Sequence, residues 1–99
     1  MNHSITNPLG LDETDRKILQ SSWFVATITT ESGSHYTLIK RDNLAVMTKD
    51  NPDDPWVGRG TEFWISSTGR VTLFNAHGRP GHRMVGCTTR IRSCYILEN

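Results

Sequence analysis

Trp23-Phe-Val-Ala-Thr-Ile-Thr-Thr-Glu-Ser-Gly-Ser-His-Tyr-Thr-Leu-Ile39 is the stretch that decides the fold. Trp23, Val25 and Thr27 alternate with Phe24, Ala26 and Ile28, the period of two that sends successive side chains to opposite faces of a strand. Both faces carry apolar residues, which suits a strand in a barrel or one lying under the N-terminal segment. Glu31-Ser-Gly-Ser34 supplies a turn in which Gly33 takes positive φ at little cost. His35 to Lys40 returns, with Tyr36 and Leu38 on one side and Thr37 and Ile39 on the other.

Working outward, Arg41-Asp-Asn43 signals a second turn and Leu44 to Thr48 a third strand. Lys49 to Gly60 holds two prolines and two glycines and reads as a long irregular loop. Thr61 to Ser66 is a strand with Phe63 and Ile65 opposite Glu62 and Trp64, and Ser67-Thr-Gly69 turns it into Arg70 to Phe74. After a second irregular stretch, Asn75 to Arg83, strands are expected at Met84 to Thr88 and Ile91 to Leu97. On the N-terminal side, Leu11 to Gln20 carries Asp12 as N-cap, Glu13 and Asp15 in the first turn, and Arg16 and Lys17 toward the end. That predicts a helix of about two turns docking through Leu11, Ile18 and Leu19. Residues 1–10, with Asn7-Pro8 and Gly10, form an arm.

The expected architecture is therefore mainly β: a small antiparallel curved sheet or partly open barrel of six or seven strands, with one short N-terminal helix, in a single domain over residues 11–99. The 99 residues contain 35% apolar and 21% charged residues, a lean core that leaves binding to surface and loops.

Charge is unevenly placed. Up to Asp54 there are eight carboxylates against five bases, a net −3, and from Pro55 onward two carboxylates against six bases, a net +4. Those six bases are all arginine: Arg59, Arg70, Arg79, Arg83, Arg90 and Arg92. Guanidinium groups suit planar contact with carboxylate or phosphate, so the arginines either meet an anionic partner or pair with the acidic half of the same fold. The start, Met1-Asn-His-Ser-Ile-Thr-Asn-Pro8, has neither a basic n-region nor an apolar h-region, and no run reaches membrane-spanning length. Two cysteines do not make a disulfide framework. A cytoplasmic, reducing location is the expectation, with Cys87 and Cys94 read as small buried hydrophobes on strands.

Chemistry-bearing patterns are few. His77, His82, Cys87 and Cys94 could supply a zinc site, but the C-x2-C knuckle that makes such a reading strong is missing, and no metal or other cofactor is expected. A Cys87–Cys94 disulfide across a hairpin is the other minor reading. Neither a Gly-x-Ser-x-Gly elbow nor a phosphate loop occurs, and Asp53-Asp54 between prolines is read as a solvated loop rather than an acid/base pair. The expectation is a protein that is not an enzyme. For a protein-binding module the candidate residues are Trp56, Arg59, Asp53, Asp54 and Arg79, an indole with arginines and carboxylates on the two long loops. For a nucleic-acid-binding barrel they are Arg70, Arg83, Arg90, Arg92 and Trp64, guanidinium groups interleaved with aromatic rings. Near-neutral overall charge weighs against the second reading.

The segment Thr29-Thr-Glu-Ser-Gly-Ser-His-Tyr-Thr-Leu38 and the later Thr88-Thr-Arg-Ile-Arg-Ser-Cys-Tyr95 resemble small uncharacterised proteins of actinobacteria and their phages. Those proteins carry a T-x-S-G-S-x-Y hairpin and a C-terminal strand rich in Arg, Thr and Ser. The resemblance implies a phage or mobile-element accessory protein, a class whose members often bind and block a host protein. It carries no activity with it.

Overall fold

The computed structural model describes residues 11–76 and 83–99. The order of elements is α1 (Glu13–Leu19), β1 (Trp23–Thr30), β2 (His35–Arg41), β3 (Leu44–Lys49), β4 (Trp56–Gly60), β5 (Glu62–Ile65), β6 (Arg70–Asn75) and β7 (Arg83–Glu98). All seven strands join one antiparallel sheet in the order β4-β3-β2-β1-β7-β6-β5, curled into a half-barrel. The mainly β expectation with one short helix holds. Residues 1–10, the expected arm, lie outside the described residues.

The period-two reading of β1 translates directly into packing. Phe24, Ala26, Ile28 and Thr30 face the interior, together with Tyr36 and Leu38 of β2, Ala45 and Met47 of β3, Phe63 of β5, Val71 and Leu73 of β6, and Ile91, Cys94 and Ile96 of β7. Turns occur where the sequence placed them: Gly33 sits at φ 86° and Gly69 at φ 90°, and Asp42 takes φ 50° in the two-residue link between β2 and β3. Lys40 interrupts the apolar alternation. It is buried on the inner face, and its ammonium reaches back to donate to the carbonyl of Asp42.

Helix α1 begins as expected, with the Asp12 carboxylate accepting from the backbone N–H of Thr14 at 2.7 Å and of Asp15 at 3.3 Å. Leu11 and Leu19 are buried and Ile18 packs against the core, so the helix lies against β1, β5 and β7. The Arg16 guanidinium ties it to the β5–β6 turn by donating to the carbonyls of Ser66, at 2.8 Å, and Ser67, at 3.4 Å.

Two expectations are corrected. The stretch Lys49 to Gly60 is not irregular throughout, because Trp56–Gly60 forms β4 and pairs with β3 from Lys49↔Trp56 to Ala45↔Gly60. The two strands expected after Met84 are one 16-residue strand, β7. Its first half pairs with β6 and its second with β1, with register shifts on both sides that let it bend from one neighbour to the other.

Strands β4 and β5 are consecutive in the chain yet stand at opposite ends of the sheet order. The link Gly60-Thr61-Glu62 therefore carries the chain from one edge of the sheet to the other and curls the sheet on itself. Thr61 donates its backbone N–H to the Phe74 carbonyl at 2.8 Å, and the Thr61 hydroxyl accepts from the Ala76 N–H at 2.9 Å. Gly60 is the residue that permits this approach, since a Cβ there would stand 2.4 Å from the Phe74 carbonyl oxygen. Gly60→Ala is therefore expected to lower unfolding free energy by about 2–3 kcal/mol. Gly33→Ala, which meets nothing within 4 Å and bears only its positive φ, should cost about 1 kcal/mol. Urea unfolding of the two variants side by side checks the order.

Candidate functional site

The seam between β4 and the β6–β7 side is closed at Gly60 and widens toward Trp56. There a cleft of about 310 Å³ opens, walled by Tyr36, Met47, Trp56, Val85 and Gly86, with Lys49, Asp54 and Cys87 at its edge. Trp56 is half-buried against the core. Its indole lies over two glycines, Gly58 of its own strand and Gly86 of β7, where added Cβ atoms would stand 2.4 Å and 2.6 Å from the ring. The glycines act as a bed for the ring: a side chain at either position would push it out of the cleft.

The segment before β4 is held in place by hydrogen bonds to the start of β2. His35 donates its N–H to the Asn51 side-chain oxygen at 2.9 Å, Asp50 donates its N–H to the His35 carbonyl at 2.7 Å, and the Thr37 hydroxyl donates to the Asp50 carboxylate at 2.9 Å. A turn closed by Asp54 N–H to the Asn51 carbonyl at 3.1 Å then presents the Asp54 carboxylate to the Lys49 ammonium at 2.7 Å. That hydrogen bond raises the Lys49 pKa above its ordinary value. The cleft thus combines apolar walls with one partly exposed ion pair, a form suited to an apolar side chain whose flank is polar.

The sequence-predicted protein-binding residues divide. Trp56 and Asp54 meet at the cleft, but Trp56 is a strand residue turned inward rather than an exposed loop indole. Asp53 is exposed beside Asp54, and Arg59 is exposed on the opposite, outer side of β4. Arg79 lies outside the described residues. Tyr36, Met47, Val85 and Gly86 were missed, since no short-range pattern links β2, β3 and β7.

The predicted nucleic-acid residues do not form one groove. Arg70 and Arg90 face each other across β6 and β7, and with Glu31 and Thr68 they border a second, shallow cleft of about 330 Å³. Glu31 holds the Arg90 guanidinium at 2.5 Å. Trp64, though exposed, packs at a tilt of 42° against Phe74 with ring centroids 4.1 Å apart and donates its indole N–H to Glu62 at 3.0 Å, which places a carboxylate beside the would-be stacking ring. Arg83 and Arg92 are exposed at other points of β7.

His77 and His82 of the zinc reading lie outside the described residues. The thiols of that reading stand apart: both are free, Cys94 buried and Cys87 exposed. The expectation of two buried thiols is thus corrected at Cys87, whose sulfur instead accepts from the Thr72 hydroxyl at 3.5 Å on the outer face. Among the described residues no three His, Cys, Asp or Glu converge, and no helix is long and apolar enough to cross a membrane. In comparisons with protein-family models, curated proteins and solved structures, none matches the chain.

Burial, reinforced by the nearby Asp15 and Asp12 carboxylates, pushes the Cys94 thiol up to about 12 from its ordinary 9.0. Below the ordinary value both folded and unfolded states keep the proton, and the protein has its full stability. As pH rises past it, the unfolded state alone ionises, so stability falls until the folded thiol also titrates. Thermal unfolding of wild type and Cys94→Ala across that range should show a steeper downward slope in wild type than in the variant, in which Lys49 still contributes its own share. Under native conditions Cys87 should react with iodoacetamide and Cys94 should not.

Proposed function

We propose that the protein is a non-enzymatic binding protein, acting in the cytoplasm, whose seam cleft receives an anchoring side chain of a host protein and thereby modulates that protein. The observation that carries this reading is the Trp56 indole bedded on Gly58 and Gly86 with the Lys49–Asp54 ion pair beside it. Binding energy concentrates where a fixed aromatic wall meets a partner's side chain away from water. The hydrogen bonds from β2 to the Asp50–Asp54 segment hold the edge of the cleft in position, which limits the ordering cost of association. The resemblance of the hairpin and the C-terminal strand to small phage proteins supports a host protein as the partner class.

The nucleic-acid reading has less support, since Arg90 is held by Glu31, Trp64 by Phe74 and Glu62, and Arg59 projects from the far edge of the sheet. Affinity capture from host lysate, with and without nuclease, separates the two. Under the proposal, one protein is recovered regardless of nuclease, and Trp56→Ala or Asp54→Lys reduces its recovery at least about tenfold. Arg90→Ala and Arg92→Ala leave recovery unchanged. Recovery that nuclease abolishes, or that the arginine variants weaken while the cleft variants do not, overturns it.

A further inference from the structure

Strand β7 changes partner at Arg90. Along it, Arg70↔Arg90 is the last pair of the ladder with β6 and Thr30↔Ile91 the first of the ladder with β1. Two turns are fixed on either side of that point. Glu31, in the β1–β2 turn, donates its N–H to the Arg90 carbonyl at 2.8 Å, and Ile91 donates its N–H to the Gly69 carbonyl of the β5–β6 turn at 2.9 Å. The second cleft, of about 330 Å³, opens between these turns and is bordered by Glu31, Thr68, Arg70 and Arg90. The stem of Arg90 lies along the β5–β6 turn, its Cγ 3.6 Å from where a Cβ on Gly69 would stand.

The charges at this cleft do not balance. Arg70 and Arg90 stand directly opposite each other across the ladder, an arrangement that costs stability when both are charged. Glu31 answers one of them, holding Arg90 at 2.5 Å. All ten acidic side chains of the sequence lie within the described residues, and none of them pairs with Arg70. Glu98 is held by Arg41 and Asp54 by Lys49, and the Glu62 carboxylate accepts from the Trp64 indole. The cleft therefore carries two guanidinium charges and one carboxylate. It is left with a single positive charge whose guanidinium has no carboxylate partner among the described residues.

We infer that this cleft binds a singly charged carboxylate group, on a ligand other than the side chain received by the seam cleft, with which it shares no lining residue. The planar fork of Arg70 takes such a group through two parallel hydrogen bonds, and Arg90, already bonded to Glu31, supplies a further N–H from the opposite strand. A hydroxyl completes the donor set. The Ser66 hydroxyl accepts from the Arg70 backbone N–H at 3.0 Å and lies 3.0 Å from the Thr68 hydroxyl. With Ser66 as donor in that second contact, the Thr68 proton turns to the ligand. The net charge selects the class, because a phosphate monoester carries close to two negative charges at neutral pH and the Glu31 carboxylate repels the second. Shape selects as well: a phosphodiester carries two substituents past a cleft flanked on both sides by turns, whereas a carboxylate carries one.

Titration of the isotope-labelled full chain, followed by nuclear magnetic resonance at the arginine Nε–H signals, tests the inference. Sodium acetate, compared with sodium chloride at equal ionic strength, should shift the Arg70 and Arg90 signals to saturation with a Kd on the order of 10 mM. A capped tripeptide bearing one glutamate is the second probe. Tighter binding than acetate assigns the carboxylate to a polypeptide, equal or weaker binding assigns it to a free acid, and both results uphold the site. Arg70→Lys, which keeps the charge and loses the fork, should weaken acetate binding about fivefold at the Arg90 signal. Arg70→Gln should abolish saturation there, with the backbone amide spectrum otherwise unchanged. Glu31→Gln, which releases Arg90, should tighten acetate about fivefold and turn the preference toward inorganic phosphate. Shifts no larger than those with chloride overturn the inference. So does saturation that survives Arg70→Gln, and so does tighter binding of inorganic phosphate or dimethyl phosphate than of acetate to wild type.

Discussion

The contact of the Gly60-Thr61 backbone with the Phe74 carbonyl is the constraint on which the rest of the structure depends. It joins the link between the two terminal strands, β4 and β5, to β6, and it converts a ribbon of seven strands into a curled body with an inside. A lean sequence has few apolar residues to cover two faces of a flat sheet. Curling lets Phe24, Leu38, Met47 and Leu73 share one interior, so each apolar group is buried against several others rather than against solvent. The helix completes this by laying Leu11 and Leu19 on the same core.

The same contact positions the cleft. With the seam pinned at Gly60, β4 diverges from the opposite side of the sheet toward Trp56, and the space that opens is partly filled by the indole. Three glycines serve this one seam: Gly60 admits a carbonyl, while Gly58 and Gly86 admit a ring. They are of use for what a side chain would obstruct, and not for unusual backbone angles. Along β4, inward-facing Trp56 alternates with outward-facing Val57 and Arg59, so the cleft takes only one side of the strand.

Legibility in the sequence followed the range of the interactions. The β1–β2 hairpin, its Gly33 turn, β3 and the capped helix were readable, because alternation, turn chemistry and capping act over a few neighbouring residues. Strand β4 was not readable: Pro52, Pro55, Gly58 and Gly60 are local arguments against a strand, and the reason for the glycines lies in Phe74 and in the ring of Trp56. Likewise, β7 was divided in two because its change of partner from β6 to β1 is a long-range event marked locally only by a polar stretch around Thr89-Arg90. Of the cleft, Trp56 and Asp54 were legible by composition. Its other walls come from three strands that only the curl brings together. The second face of β1, with Val25, Thr27 and Thr29, is partly exposed, where apolar residues on both faces suited a strand in a barrel or one lying under the N-terminal segment, which lies outside the described residues.

Amide hydrogen exchange at Thr61 tests the central constraint most directly, because that N–H has the Phe74 carbonyl as its acceptor across the seam. The account predicts that Thr61 exchanges as slowly as the buried β1 amides of Ala26 and Ile28, opening only with global unfolding. Exchange at the rate of a solvated loop amide, while β1 remains protected, would show that the β4–β5 link is not bound to β6 and would contradict it.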